Sequence, residues 1–339
     1  MKKTRILVLL LSFVMVFSLA ACGGGDKPAE VQDEIVFRMA TDHPIDHMAT
    51  RSAKAIAEEV EANTNGRIKI DVYPASQLGD YNTVYEEIVR GTIDLGHITI
   101  PDSLDARLGS AYTPYLTTGY EEAKRMYAPD AFLATQFKEM NAKLDVRFIG
   151  FYLEGYIGMG TKQEPTDVLI PGADKNIKTR VWAAPASRAP MEDLGYTAVT
   201  VPYAEVATAI QTGVVDGWIG GTPNVNYHWV GEVINNFYET FMHAESTSYV
   251  MSQKSLDKLS PEDQAIVLTA FERQSAASFD LAKAEDEKWI EELEASGVNV
   301  VRFTDEQILE FANYVRAESW PKLEKLYTKE LLDGIKAQY

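Results

Sequence analysis

The chain of 339 residues is long enough for two domains with large hydrophobic cores. Its formal net charge is −18, and without residues 1–21 it becomes −21, from 29 basic and 50 acidic side chains. Such an acidic surface repels the phosphate backbone, so we expect no nucleic-acid partner, and an anionic ligand would need a local cationic pocket. The single cysteine, Cys22, excludes an intramolecular disulfide bond.

The first predicted element is a secretion signal rather than a folded helix. Residues 1–21 begin with three basic side chains, continue with an apolar run and end in small residues directly before Cys22. That ending resembles a bacterial lipobox, in which the cysteine receives a lipid and becomes the new N-terminus. An ordinary signal peptide cleaved nearby is the alternative. The polar, glycine-rich residues 22–33 predict a flexible tether between the lipid and the folded body.

Strands and helices alternate in the next part of the chain, which implies a mostly parallel sheet. Alternating apolar side chains predict strands at 35–40, 68–73 and 94–100, with helices between them. After a loop-rich stretch and another helix, residues 146–152 form a strongly apolar predicted strand.

The loop at residues 41–47 contains two histidines and two aspartates, a composition that suggests a metal site. The proline-containing loop presents no regular ligand face, and the sequence places no further ligand cluster nearby, so we predict neither a metal nor a cofactor. Loops at strand ends line ligand crevices in open α/β sheets. We therefore expect this loop, with His43, to line a pocket.

Residues 178–223 read as strand, helix, strand, helix, strand, with Arg180 at the end of the first strand. Arginine has a rigid planar fork that grips a carboxylate through two parallel hydrogen bonds. An arginine between apolar strand residues needs a partner, because a buried unpaired charge is very costly. The residues alone leave two partners open, namely a ligand carboxylate or an internal acid such as Glu205.

The C-terminal part is predicted to be mostly helical. Residues 238–251 first return toward the beginning of the sheet. Ser260 precedes a proline and two acidic residues, a strong helix start, and the helix continues to about Ala295. A strand at 298–303 and a capping box that begins at Thr304 follow.

Two blocks of sequence carry a family resemblance. The first comprises residues 65–70, 73–79 and 91–94, and the second comprises Lys-x-Arg-Val at 178–181, Pro-x-x-Glu-Val at 202–206 and Gln-Thr-Gly-Val-Val-Asp-Gly at 211–217. In this order they resemble the solute-binding proteins of tripartite ATP-independent periplasmic (TRAP) transporters, the DctP family. The resemblance covers most of the chain from about residue 35 onward.

The resemblance implies an α/β, two-lobed fold like that of periplasmic binding proteins. Each lobe is expected to contain a mainly parallel sheet flanked by helices, and one long helix is expected to span both. Lobe I would comprise residues 34–155 with a return segment at about 240–280. Lobe II would comprise residues 156–239 with about 285–339.

The resemblance also implies a function, that of an extracytoplasmic receptor of a TRAP uptake system rather than an enzyme. The receptor would bind an organic acid between the lobes, with Arg180 on the carboxylate, and would present it to membrane permease subunits. It would be lipid-anchored through Cys22, at the outer face of the cell membrane or in the periplasm. The other expected pocket residues are Trp182, Trp218, Tyr203, Tyr156, Glu154, Asn224, His43 and Tyr81. For each aromatic residue, core packing is the alternative explanation.

Two departures from the family bear on the solute. Many members carry a second arginine in the strand after the lobe change, whereas residues 155–160 contain none. Many also carry Glu-Asn directly after the Asp-Gly-x of the last strand, whereas here Asp216-Gly217-Trp218 is followed by Ile219-Gly220-Gly221. These changes argue against a small dicarboxylate or a sialic acid, and a monocarboxylate with an apolar or aromatic body fits better.

The rival hypothesis is a secreted lipoprotein hydrolase with two α/β domains. The sequence contains no Gly-x-Ser-x-Gly, no glycine-rich phosphate loop and no His-Glu-x-x-His. The spacing of its serine, histidine and aspartate residues marks no triad, which makes catalysis the weaker interpretation.

Overall fold

The computed structural model describes residues 34–339, which form one compact unit. The predicted signal at 1–21, the tether at 22–33 and Cys22 lie outside the described residues.

One mixed sheet runs through the described part of the chain. Its strands are β1 (Ile35–Thr41), β2 (Ile68–Tyr73), β3 (Leu95–Ile98), β4 (Val146–Thr161), β5 (Lys178–Val181), β6 (Thr197–Thr200), β7 (Gly217–Ile219), β8 (Asn236–Ser252) and β9 (Asn299–Arg302). The strand order is β2-β1-β3-β8-β4-β7-β5-β6, and β9 pairs with β8.

Helices cover this sheet. They are α1 (Met48–Asn63), α2 (Tyr81–Arg90), α3 (Tyr120–Met126), α4 (Phe132–Ala142), α5 (Pro185–Asp193), α6 (Val206–Thr212), α7 (Pro223–Val225), α8 (Gln253–Leu256), α9 (Pro261–Ala295), α10 (Asp305–Glu318), α11 (Trp320–Tyr327) and α12 (Lys329–Lys336). The strand–helix alternation predicted for residues 178–223 is confirmed by β5, α5, β6, α6 and β7.

The strand directions create a cleft midway along the two longest strands. β1, β2 and β3 are parallel to one another, β3 is antiparallel to β8, and β8 is antiparallel to β4. On the other side, β5, β6 and β7 are parallel to one another and antiparallel to β4. The carboxyl ends of the two parallel sets therefore face each other across β4 and β8, where ligand-binding loops of α/β sheets lie.

The predicted α/β, two-lobed fold class is confirmed, with one difference in the sheet. β4 has 16 residues and continues far beyond the strand predicted at 146–152. Glycines at positions 150, 155, 158 and 160 interrupt the apolar alternation by which a strand is recognised in sequence. The predicted lobe boundary at 155/156 falls inside this strand, and the assignment of segments to lobes stays a prediction.

The long helix predicted after Ser260 is confirmed as α9, which has 35 residues. At 1.5 Å per residue it measures about 52 Å. The Ser260 side chain caps it by accepting a hydrogen bond from the backbone N–H of Asp263, and the capping box at Thr304 begins α10 as expected. α9 packs against α1, α3, α7 and β4, so it follows the sheet past the cleft.

Asp286 ties α9 to β4 at the level of the cleft. Its Oδ2 accepts hydrogen bonds from the backbone N–H of Tyr156 and from the hydroxyl of Tyr120, each at 2.8 Å. The carboxyl group lies directly against Gly155, whose φ is +140°. Only glycine fits this contact, because a Cβ at residue 155 would collide with the Asp286 carboxylate.

We expect Gly155→Ala to lower the free energy of unfolding by roughly 3 kcal/mol or more, because backbone strain and loss of the Asp286 contact add together. Gly66→Ala is the matched control, since Gly66 has φ +78° and nothing near its missing Cβ. It should cost about 1 kcal/mol. Urea unfolding followed by circular dichroism measures both, and equal losses would show that the Asp286 contact is unimportant.

Candidate functional site

Arg180 is the last residue but one of β5, at the edge of the cleft, and is 3% exposed. Its Nε donates a hydrogen bond of 2.9 Å to the carbonyl of Val201. Within residues 34–339 it forms no ion pair with an Asp or Glu, and Glu205, the internal partner left open by the sequence, is exposed on the surface. Burial lowers the pKa of Arg180 to about 10. The guanidinium therefore remains charged at neutral pH without an internal counter-ion.

Aromatic rings surround this charge. The guanidinium carbon lies 5.8 Å from the ring centre of Tyr203 and 5.9 Å from that of Trp218. The ring centre of Trp229, in turn, lies 4.0 Å from that of Tyr203. Such contacts hold a cation by attraction to the ring faces without neutralising it. Tyr203 is 41% exposed, so this wall is open on one side.

Asn226 holds Trp218 in place and was missed in the sequence analysis. Trp218 is completely buried, and its Nε1 donates a 2.9 Å hydrogen bond to Oδ1 of Asn226. Nδ2 of Asn226 donates to the carbonyls of Gly221 and Thr222. The predicted pocket residue Asn224 is half-buried and makes no side-chain hydrogen bond within the described chain. The sequence did offer one signal for Asn226: a buried tryptophan N–H needs a hydrogen-bond acceptor, and an asparagine side chain can provide one.

Glu154 lies on the opposite side of the cleft, at a β-bulge. The register between β4 and β8 shifts between residues 153 and 155, which leaves Glu154 as the extra residue. Bulges re-aim side chains in this way. Its Oε1 accepts a hydrogen bond of 2.6 Å from Thr247, and its Oε2 lies 2.8 Å from Nε2 of His43.

His43 and Glu154 form a buried ion pair. Burial by itself would lower the pKa of His43, but the charge and hydrogen bond of Glu154 outweigh it and raise the pKa to about 9. Nδ1 of His43 lies 3.1 Å from the hydroxyl of Thr41, which can accept the second imidazolium proton. The predicted role of the loop at 41–47 as a cleft wall thus agrees with the position of His43.

His47 joins this pair, which corrects one expectation. The sequence indicated no further ligand cluster near the histidine loop, yet the nitrogens of His43 and His47 and an oxygen of Glu154 lie within 4.8 Å of one another, close enough to surround a metal ion. The fold brings Glu154 there from more than a hundred residues away.

The proton positions nevertheless disfavour a metal. Nδ1 of His47 accepts a hydrogen bond from the backbone N–H of Ala49, so the proton of the neutral ring is on Nε2, the atom nearest Glu154. Burial, followed by the charge of His43, lowers the pKa of His47 well below its usual value. The rings of His43 and His47 stack at 4.4 Å rather than converging on one point. The cluster of His43, His47 and Glu154 is therefore better suited to hold a proton than a metal ion.

The other predicted pocket residues differ in position. Trp182 is half-buried just beyond β5, and Tyr81 begins α2 close enough to Arg180 for their charges to interact. Tyr156 is 3% exposed, and its hydroxyl bonds with Thr117 and Gly119. Tyr156 is therefore a core residue, and we leave it out of the site.

Comparisons with known proteins agree with one another. The family model described as bacterial extracellular solute-binding protein, family 7, matches residues 39–325. The sialic acid-binding periplasmic protein SiaP of Vibrio cholerae is 23% identical over 281 residues, which are 80% of this chain and 84% of SiaP.

Two solved structures share the fold. A TRAP periplasmic solute-binding protein from Ochrobactrum anthropi superposes with a TM-score of 0.80, 21% identity and coverage of 90% of this chain and 95% of that chain. Another from Desulfovibrio salexigens, with bound orotic acid, has a TM-score of 0.80, 16% identity and coverage of 90% and 97%. Between residues 34 and 339, no helix combines the length and the apolar character that a membrane span requires.

The ion pair of His43 predicts a pH dependence of stability. Because the folded-state pKa of His43, about 9, exceeds the ordinary histidine value of 6.5, the stabilisation from the ion pair is fully present below pH 6.5 and is lost as the pH rises through 9. The difference in free energy of unfolding between the wild type and His43→Gln should therefore shrink from pH 6 to pH 10. Urea titrations at several pH values measure it, and His228→Gln, at an exposed site, is the control. A difference independent of pH would exclude a charged His43.

Proposed function

Because the chain belongs to family 7 of the bacterial extracellular solute-binding proteins, we propose that it captures an organic acid in the cleft and binds the carboxylate through Arg180. The observation that supports this most strongly is the buried guanidinium without an internal acid. A buried charge is tolerated in a protein when it is paired. A carboxylate from the solute would provide that pair, with charge-assisted hydrogen bonds to the two terminal nitrogens of Arg180.

The solute we favour is a monocarboxylate with an apolar or aromatic body. SiaP is named for a sialic acid, and the Desulfovibrio protein contains orotic acid, both of which are carboxylic acids. In this chain the rings of Tyr203 and Trp218 lie against the Arg180 guanidinium, and Trp229 packs against both rings. Rings of this kind supply apolar contact, and residues 155–160 contain no second arginine to pair with another carboxylate.

Closure of the cleft would strengthen the interaction between Arg180 and the carboxylate of the solute. β4 and β8 are the strands that connect the halves of the sheet, and both are irregular at the cleft, with shifts of register near residues 154 and 158. We assign them the role of hinges. When water leaves the closing cleft, the lower local dielectric strengthens the attraction between Arg180 and the carboxylate.

TRAP receptors work with membrane permease subunits, and we propose the same partners for this chain. We also propose that a lipid on Cys22 anchors it outside the cytoplasm, with residues 22–33 as the tether. The rival hypothesis of a secreted hydrolase gains no support from the relatives described above, which are binding proteins. Mass spectrometry of the solute released by denaturation distinguishes the two, since a receptor returns its ligand chemically unaltered.

Arg180→Met should weaken binding of the best acid by roughly 30- to 3,000-fold, the usual effect of truncating one partner of a buried charge pair. Arg180→Lys should recover only part of the loss, because an ammonium lacks the planar fork. The measurement is isothermal titration calorimetry after a thermal-shift screen of carboxylic acids.

Stability gives an independent control for this experiment. Arg180→Met removes a desolvated charge without an internal partner, so the melting temperature of the unliganded protein should stay the same or rise. Arg188→Lys, at a surface arginine that pairs with Glu192, should leave acid binding intact. Full affinity for the acid in Arg180→Met would refute the proposed role.

Cys22→Ser should move the protein from the membrane fraction to the soluble extracytoplasmic fraction, because lipid attachment requires the thiol. Acid binding by the released protein should be unchanged, since Arg180 and the residues around it all belong to the part of the chain from 34 onward. Fractionation followed by immunoblotting measures the change. Retention of the variant in the membrane would show that the anchor does not depend on Cys22.

A further inference from the structure

Tyr112 organises two hydrogen-bond acceptors on β8. Its carbonyl accepts a hydrogen bond of 2.9 Å from Nδ1 of His243, and its hydroxyl donates one of 2.6 Å to Oε1 of Glu245. His243 and Glu245 are two residues apart in a regular part of β8, so both side chains lie on the same face of the sheet.

His243 contributes an unprotonated ring nitrogen, Nε2, to this face of the sheet. Because Nδ1 donates to a carbonyl, it carries the proton, and Nε2 presents a lone pair. The residue is 1% exposed, and Nε2 has no hydrogen-bond partner between residues 34 and 339. Burial lowers the pKa of His243 to about 3, which keeps the ring neutral. A buried acceptor of this kind costs free energy until a donor reaches it.

Glu245 contributes a second acceptor. Tyr112 uses Oε1, while Oε2 receives no hydrogen bond, and no basic side chain of the described chain forms an ion pair with this carboxylate. Burial and the charge of Glu154 raise the pKa of Glu245 to about 7, against the opposing effects of Tyr112 and His43. His43 itself is already paired with Glu154.

These acceptors face the same cleft as Arg180. The ring of Trp182, two residues beyond Arg180, lies 5.2 Å from the ring of His243 and 6.1 Å from that of Tyr112. Trp182 directly follows β5, the strand that carries Arg180, so the acceptors lie at the end of that strand where Arg180 stands.

We propose that the solute is a hydroxy or amino carboxylic acid, whose O–H or N–H group donates to Nε2 of His243 and to the free oxygen of Glu245. This inference rests on the proposed function, since the carboxylate of the same molecule binds Arg180. The two ends of the cleft then recognise opposite chemistry, a negative charge at Arg180 and a hydrogen-bond donor at the pair formed by His243 and Glu245. An acid without such a donor leaves both acceptors unpaired.

The test uses acids that differ only in the donor. One set is 3-phenylpropionate, 3-phenyllactate and phenylalanine, and a shorter set is propionate, lactate and alanine. Calorimetry on the wild-type protein should show a hydroxy or amino acid binding roughly 10- to 100-fold more tightly than its unsubstituted parent, as expected when a donor satisfies a buried acceptor. Equal affinities within each set would overturn the inference.

Variants then locate the effect. Glu245→Gln keeps an oxygen for Tyr112 but replaces the free acceptor with an amide donor, so the affinity ratio between substituted and parent acid should fall tenfold or more. Glu232→Gln, at an exposed site, should leave the ratio unchanged. Because a ratio is measured, a general loss of folded protein does not imitate the result. An unchanged ratio in Glu245→Gln would refute the assignment.

The outcome also separates this inference from the proposed function. If parent acids bind through Arg180 as tightly as their hydroxy and amino derivatives, the receptor function stands and only the acceptor pair is wrong. If no carboxylic acid of either set or of the wider screen binds, both proposals fail.

Discussion

The arginine at position 180 is almost completely removed from water, and the described chain supplies no acid to neutralise it. An unpaired buried charge destabilises the folded protein. A bound anion would pair with the charge and recover this free energy on binding. The surroundings are arranged accordingly. Rings of Tyr203 and Trp218 attract the cation without cancelling it, and Asn226 fixes Trp218 through its indole N–H. The cleft is thereby organised before a solute arrives, which reduces the ordering cost of binding.

The two long strands make this arrangement possible. β4 and β8 pair along most of their length, yet their register slips at the cleft. One slip directs Glu154 toward His43, and Gly155 allows the Asp286 carboxylate of α9 to approach the backbone at the same level. The irregularities of the strands thus serve both the site and the junction between the halves of the sheet. Regular strands would present Glu154 differently and would leave Asp286 no space.

Charge in the cleft is distributed rather than uniform. His43 and Glu154 neutralise each other, whereas Arg180 and Glu245 each form no ion pair with a side chain of residues 34–339. The net negative charge of the protein disfavours the approach of an anion, so a carboxylate needs a local positive charge such as that of Arg180. An unpaired cation and an unpaired hydrogen-bond acceptor in one cleft favour a solute that carries both a carboxylate and a donor group. Such a cleft discriminates among acids more strongly than a pocket with a single positive charge.

The sequence by itself determined the alternation of strands and helices and the caps of α9 and α10, because these depend on local periodicity and on the chemistry of single side chains. It also singled out Arg180 as the candidate ligand-binding cation, a role that stays a prediction. It also carried the family blocks, which the comparison with family 7 confirmed. The tertiary structure decided the partners. Glu154 meets His43, His243 meets Tyr112, and Tyr156 turns into the core through contacts between residues that are distant in the chain. No local pattern records such contacts, since pairing across β4 and β8 creates them and a one-residue bulge is enough to redirect a side chain.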